Sequence, residues 1–352
     1  MSAQNKRPRL ADVARFAGVS PATVSLVINN RVTGNVRIPA ETQQRVLDAA
    51  AELGYVADPV AQSLAKGRNG LLGVFTFEAI FPVTQRDFYY PFLVGIERAA
   101  ETFGFDLLLF TSTSVGDGRR RIYRNGRNRL RLADGTILLG TEDSKFELQA
   151  LIDEAYPFVF IGRRELPGSE ISYTAADYAS ATAELIGRMA AAGHRRIAYV
   201  GVEQYTESLL DRRRGYRSGL TANALQIDER LICLCSAQQI EIAALQALLE
   251  LDVTALVMET GPVVYSLLHT CSELGIQVPT DLSLGLLGDP SGDMDGTSYI
   301  SGFSIPREEM GTQAVHLLTR LLDEKTSAGL QQVALACTPV AGSTIAPPRI
   351  HP

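Results

Sequence analysis

Apolar positions recur every three or four residues between residues 10 and 53, and beyond residue 70 they collapse into short unbroken runs. In the first stretch Leu10, Val13, Ala14 and Ala17 share one side of a helical wheel, which predicts a short amphipathic helix. Gly18 supplies the left-handed turn that stops it. Ser20 is then placed to cap a second helix, with Pro21 at its first position. That helix, Pro21–Asn29, turns Val24, Val27 and Ile28 inward and leaves Pro21, Ala22, Thr23 and Ser25 more open. A third helix runs from Pro39 to Leu53 and ends at Gly54. Two short helices across a glycine turn, braced by a third, predict a helix-turn-helix whose second helix enters the DNA major groove.

From Gly70 onward the pattern is different. Leu71–Phe77, Asp106–Phe110, Thr136–Leu139, Phe158–Ile161, Arg196–Val200, Ala255–Met258 and Leu282–Leu287 are short, mostly apolar runs between helical stretches such as Pro91–Phe103. Buried parallel strands read this way, because helices cover both faces of their sheet. The runs are too many for one sheet and the rhythm restarts near Arg196, so two similar doubly wound lobes are expected, with a ligand cleft outside the strand ends. The predicted organisation is an all-α head (residues 1–57), a linking helix (58–67) and an α/β body (68–352). The first lobe should take residues 70–175 and 304–326, the second residues 177–302 and 330–346. Within the link, Asp58 caps, Pro59 opens and Gly67 ends a helix too short to hold by itself.

Charge sharpens the division. The chain carries −6 overall, yet residues 1–70 hold nine Lys/Arg and five Asp/Glu, a local +4, so the remainder carries −10. A basic head suits phosphate contact, and an acidic body resists indiscriminate binding. Neither a membrane-spanning run nor a signal-peptide pattern is found, so a cytoplasmic protein is expected. Cys233, Cys235, Cys271 and Cys337 are too few for a disulfide framework and lack further ligands for a metal, so they read as buried thiols. His194, His269, His316 and His351 fall in no metal or catalytic spacing. Gly116-Asp-Gly118 is followed by Arg121 where a dinucleotide fingerprint needs its third glycine. The loop starting at Asp289 has Met294 and Ile300 at the sixth and twelfth positions, where a calcium loop needs Gly and Glu. An enzyme, a metal site and a cofactor are therefore not expected. Seven arginines from Arg119 to Arg131 read as a solvated helix face or a dimer contact rather than a second nucleic-acid site.

Three motifs at the front of the chain, Leu10-Ala-Asp-Val-Ala14, Ala17–Ser25 and Arg45–Tyr55, occur in the order and spacing of the lactose/purine repressor family, which the chain resembles. The body is similar to the same family and to periplasmic sugar-binding proteins at Asp134–Leu139, Ala192–Val200, Arg214–Leu220 and Leu274–Ser283. The resemblance implies a transcription regulator, expected to be a repressor. It would bind a pseudo-palindromic double-stranded operator as a homodimer, under the control of a small molecule, expected to be a carbohydrate, held between the lobes. A periplasmic transport component would share the body but lack the head.

By that resemblance the base readers are Pro21, Ala22 and Leu26, which carry no donors and so offer only apolar contact, for instance to thymine methyls. Ser20, Thr23, Ser25 and Asn29 are implied phosphate or edge contacts, and Leu10 abuts the groove. Segment 58–67 corresponds to the family's hinge helix and Leu64 to its minor-groove wedge. Arg31–Arg37 is read equally as a basic loop near the DNA backbone or a solvated loop. The implied effector contacts are Arg212, Asp289, Phe88, Tyr89 and Ser208, with Asp177 matching an acid near the lobe crossover. One departure is noted: after the strand Ala255–Met258, where the family often has Asp or Asn, stands Gly261-Pro262.

Overall fold

In a computed structural model, the described residues are 8–28, 38–56, 69–78, 86–112, 120–140, 144–235, 240–290, 300–323 and 329–349. They form two compact units, divided after Gly70. In the first, α1 (Leu10–Ala17) ends at Gly18 with φ +66°, and the Val19 N–H returns to the Ala14 carbonyl at 3.0 Å. The Ser20 hydroxyl accepts the Thr23 N–H at 3.1 Å and so caps α2 (Pro21–Ile28). Then α3 (Ala40–Glu52) closes before Gly54, which has φ +62°. Val13, Ala14, Ala17, Val24, Val27, Val46 and Ala49 fill the space between the three helices. Arg45 of α3 donates to the Ala17 carbonyl at 3.0 Å, placing a cation on the negative end of α1.

The second unit opens with β1 (Leu71–Phe75), α4 (Arg86–Phe103) and β2 (Asp106–Phe110). Next comes a hairpin of β3 (Tyr123–Arg124) and β4 (Arg127–Asn128), followed by β5 (Gly135–Leu139), α5 (Lys145–Asp153), β6 (Phe158–Ile161) and β7 (Tyr173–Ala176). The chain then crosses into α6 (Tyr178–Ala191), β8 (Ile197–Val202), α7 (Glu207–Ala222), β9 (Ile232–Cys235), α8 (Ile242–Leu249) and β10 (Ala255–Met258). After α9 (Gly261–Glu273), β11 (Ser283–Leu286) and β12 (Ser301–Ser304), it returns through α10 (Arg307–Leu322) to β13 (Gln332–Leu335) and ends in β14 (Thr338–Val340).

Two six-stranded sheets result. The first has the order β13-β7-β6-β5-β1-β2, parallel throughout, with Val74 between Leu109 and Ile137. The second, β14-β12-β11-β10-β8-β9, is parallel except for β14 at its edge, and sets Val257 between Tyr199 and Gly285. Strands β1, β5, β6, β8, β10 and β11 are buried almost end to end, as sheets covered on both faces require. The two doubly wound lobes expected from the sequence are present. Helix α10 packs on α4 and on β5–β7, so residues 307–322 belong with the first sheet.

Two expectations change. Strand β13 lies in the first sheet beside β7, so the last crossing falls between Leu335 and Thr338 rather than before residue 330. Its alternating half-exposed residues give an edge strand no apolar signal. Arginines 120–131 do not share one helix face: a short 3-10 helix, Arg129–Leu132, carries only Arg129 and Arg131. Asn125 and Gly126 have φ +52° and +71°, the Asn-Gly turn that suits a two-residue hairpin. Arg120 is buried against the Thr76 hydroxyl at 3.0 Å, and Arg131 pairs with Glu154 at 3.1 Å. The linking segment 58–67, Arg31–Arg37 and Arg119 lie outside the described residues.

Candidate functional site

In the head, Ser20, Pro21 and Ala22 at the start of α2 are exposed, and Thr23, Ser25 and Leu26 are half-buried. Helix α2 thus offers its N-terminal turn outward while Val24 and Val27 anchor it. Ser20 and Thr23 share a hydroxyl hydrogen bond at 2.9 Å, which sets both oxygens beside the first backbone N–H groups of the helix. Such a turn is a ready phosphate contact. Leu10 is half-buried and packs on the head core. Asn29 and Leu64 lie outside the described residues.

In the body, each sheet reverses its winding direction between two strands: β1 and β5 in the first, β8 and β10 in the second. Ligands of open α/β sheets bind outside the strand ends at such switch points. Both points open onto one cavity of about 760 Å³. Glu78 and Gly140 follow β1 and β5 at its wall, and Gln204 and Glu259 follow β8 and β10 opposite.

Of the implied effector residues, Phe88, Ser208 and Arg212 line this cavity. Arg212 is 7% exposed, with its guanidinium 3.8 Å above the Tyr178 ring. Its Nε donates to the Leu287 carbonyl and its Nη1 to the Ser208 carbonyl at 3.0 Å. Among the described residues no carboxylate pairs with it, so it presents a fixed positive charge to the cavity. Asp289 lines a smaller adjoining pocket and reaches the cavity through Arg307, whose Nη1 lies 3.0 Å from its Oδ2.

Like Asp289, two other implied contacts do not line the cavity itself. Tyr89 is 1% exposed, packs edge-on against Phe88 and donates its hydroxyl to Glu78, so it supports the wall from behind. Asp177 accepts the Ser180 N–H at 2.9 Å and is the N-cap of α6, where a carboxylate also suits the helix dipole.

Other wall residues fall outside the stretches that resemble the family's effector contacts: Arg163 and Arg164 after β6, Tyr205 and Asp211 around the start of α7, Glu259, and Arg307. Their common signal is position, since Arg163, Arg164 and Glu259 follow apolar strand runs within three residues. Glu259 directly follows Met258, and Gly261 begins α9. Its fully buried carboxylate accepts the Val202 N–H at 2.7 Å and the Tyr199 hydroxyl, and lies 3.3 Å from the Arg213 Nε. Burial and the Glu259 charge together push the Tyr199 hydroxyl far above its ordinary pKa, so it stays a donor. Burial opposes the Arg163 charge, but Asp211 and Glu165 outweigh it and hold that pKa above the usual arginine value.

A helix-turn-helix unit followed by two lobes around a ligand-sized cavity is the build of a DNA-binding regulator with a sensor body. Residues 9–58 match the family model for bacterial regulatory proteins of the lacI family, and residues 76–264 match that for periplasmic binding proteins and the sugar-binding domain of the LacI family. A periplasmic binding protein-like model matches residues 186–345. The chain belongs to the LacI family. It is 28% identical to the HTH-type transcriptional regulator CelR of Thermobifida fusca, over 94% of this chain and 96% of that one. Catabolite control protein A of Priestia megaterium is 26% identical, over 90% and 92%. A solved CelR–cellobiose complex is 25% identical, covering 96% of this chain and all of that one, with a TM-score of 0.63. The lac repressor dimer bound to operator and the anti-inducer ONPF shares the fold, with a TM-score of 0.68 at 21% identity over 97% of this chain and all of that one. No single described helix is long and apolar enough to cross a membrane.

Proposed function

We propose that the chain is a homodimeric transcriptional repressor that binds a pseudo-palindromic operator and loses or gains affinity for it when a sugar occupies the cavity between its lobes. The observation that carries the reading is the pairing, in one chain, of an outward-facing recognition turn with a cavity of about 760 Å³ at two switch points. That volume suits a small ligand of saccharide size. Phe88 and Tyr178 offer apolar faces to a sugar ring, while Arg212 and Ser208 offer polar contacts to hydroxyls. In the head, Leu10, Ser20, Pro21, Ala22, Thr23, Ser25 and Leu26 are assigned to DNA, with Asn29 and Leu64 completing the set. Base reading through Pro21, Ala22 and Leu26 is apolar, so shape and backbone contact carry much of the selectivity. The protein acts by binding rather than by turnover, in the cytoplasm.

The test is fluorescence anisotropy of the full-length protein on DNA flanking its own gene, with mono- and disaccharides titrated in, beginning with cellobiose. One sugar should shift operator affinity by roughly 5- to 150-fold. Arg212→Ala should abolish that shift and leave ligand-free DNA binding intact. Equal binding to operator and scrambled DNA would overturn the proposal.

A further inference from the structure

The loop after β6 grips the start of α7 across the mouth of the cavity. Arg163, from the first lobe, meets Asp211, from the second, in a two-bonded fork: Nε to Oδ2 and Nη2 to Oδ1, both 2.9 Å. Both side chains are largely shielded, at 17% and 12% exposure. Beside the fork the Glu165 N–H donates to Glu207 Oε1 at 3.2 Å, and Arg164 Nη1 lies 3.6 Å from Glu207 Oε2. Arg164 is braced from its own lobe by the Gly140 carbonyl at 2.7 Å and by the Phe160 ring beneath its guanidinium.

A shielded ion pair is normally costly to break, because each charge is left without a partner. Here each charge has a second partner within its own lobe. Arg163 also pairs with Glu165, and Asp211 lies 3.6 Å from Arg214 on the next turn of α7. Parting the fork therefore forfeits its two charge-assisted hydrogen bonds but leaves neither Arg163 nor Asp211 without a counter-charge.

We propose that the Arg163–Asp211 fork is a reversible latch between the lobes at the cavity, and that Glu165 and Arg214, already beside the two charges, keep them paired when it opens. The latch sets how often the cavity admits a ligand, and its operation is independent of which ligand that is.

Hydrogen exchange of the Glu165 amide reports the latch directly, since among the described residues that N–H donates to Glu207 of the other lobe. In full-length, ligand-free protein, Asp211→Asn should accelerate this exchange roughly tenfold or more, the scale of a lost charge-assisted hydrogen bond, and enlarge the radius of gyration in solution scattering. Arg214→Gln, at a side chain 67% exposed, leaves the fork intact but removes the partner that Asp211 would keep once it parts, and should slow the same exchange below wild type. Should Asp211→Asn not fold, Arg163→Lys, which keeps the charge but not the fork, repeats the first measurement. The proposal is overturned if Asp211→Asn exchanges and scatters as wild type, or if Arg214→Gln accelerates exchange as the latch-breaking variant does.

Discussion

Replacing Gly215 by alanine forces apart the two helices that lead from the crossover into the cavity. A Cβ built at Gly215 of α7 would sit 2.3 Å from the Ala179 carbonyl oxygen and 2.7 Å from the Thr182 Cβ, both on α6. Ordinary contact begins at 3.4 Å, so the helices must separate by about 1 Å. Overpacking of this size costs roughly 1–3 kcal/mol, or about 2–10 °C of melting temperature for a body of this length. Gly187, on α6 itself, makes the opposite prediction. Its added Cβ would meet only Asn223 Nδ2 at 3.6 Å, an ordinary contact. Gly187→Ala should therefore return the helix propensity that glycine forfeits, about 0.5–1 kcal/mol, and raise the melting temperature. Differential scanning calorimetry of the two full-length variants reads both signs. Because Ser208, Asp211 and Arg212 ride on α7, Gly215→Ala should also weaken capture of whichever sugar proves active. Shifts of the same sign in the two variants would refute the packing argument.

Three further outcomes are expected. Ser20→Ala should cost the head about 0.5–2 kcal/mol by uncapping α2. Ser20→Asp should keep the cap and lose operator affinity through repulsion of phosphate, so anisotropy and head melting must part company; retained affinity in Ser20→Asp would remove Ser20 from the DNA contacts. His194 is 1% exposed, with Nδ1 2.8 Å from the Thr254 hydroxyl and Nε2 2.8 Å from the Ala346 carbonyl. Burial lowers its pKa beneath the ordinary 6.5, although the Ala346 carbonyl pulls the other way. The unfolded chain then binds the proton first, so stability is full above pH 6.5 and falls as pH drops below it, by at most about 1.4 kcal/mol per pH unit. Urea titrations of wild type and His194→Gln should differ in this slope, and parallel curves would count against it. Glu259→Gln should cost about 1–3 kcal/mol in urea denaturation, because an amide cannot satisfy the Val202 N–H, Tyr199 and Arg213 together; an unchanged midpoint would contradict the buried network.

The head was legible almost residue by residue, because Gly18, Ser20, Pro21 and Gly54 act locally and their caps need no distant partner. The inner strands were equally plain, since a strand covered on both faces must be apolar throughout. Two edge strands near the end of the body were not: β13 alternates exposed and half-buried residues, β14 is exposed or half-buried along its length, and both take their place only from the neighbours they pair with. The hairpin at Asn125-Gly126 was legible in principle, but the surrounding arginines suggested a helix surface instead. In the cavity, Phe88, Ser208 and Arg212 followed from family resemblance. Resemblance could not distinguish a lining residue from one directly behind the wall, as with Tyr89, or from a helix cap, as with Asp177. Arg163 and Asp211 are 48 residues apart, and only the folded chain brings their charges together.

The way the chain threads its two sheets bears on how the protein is made. The outer strand of the first sheet and the helix that covers its middle come from residues 307–335, which leave the ribosome only after all of β8 to β12. Until they emerge, the apolar flank of β5–β7 has nothing to lie against, although its own residues were translated long before. The amino-terminal lobe thus waits on the carboxyl-terminal one, and a nascent chain halted near residue 300 would carry an uncovered greasy surface that invites chaperones or aggregation.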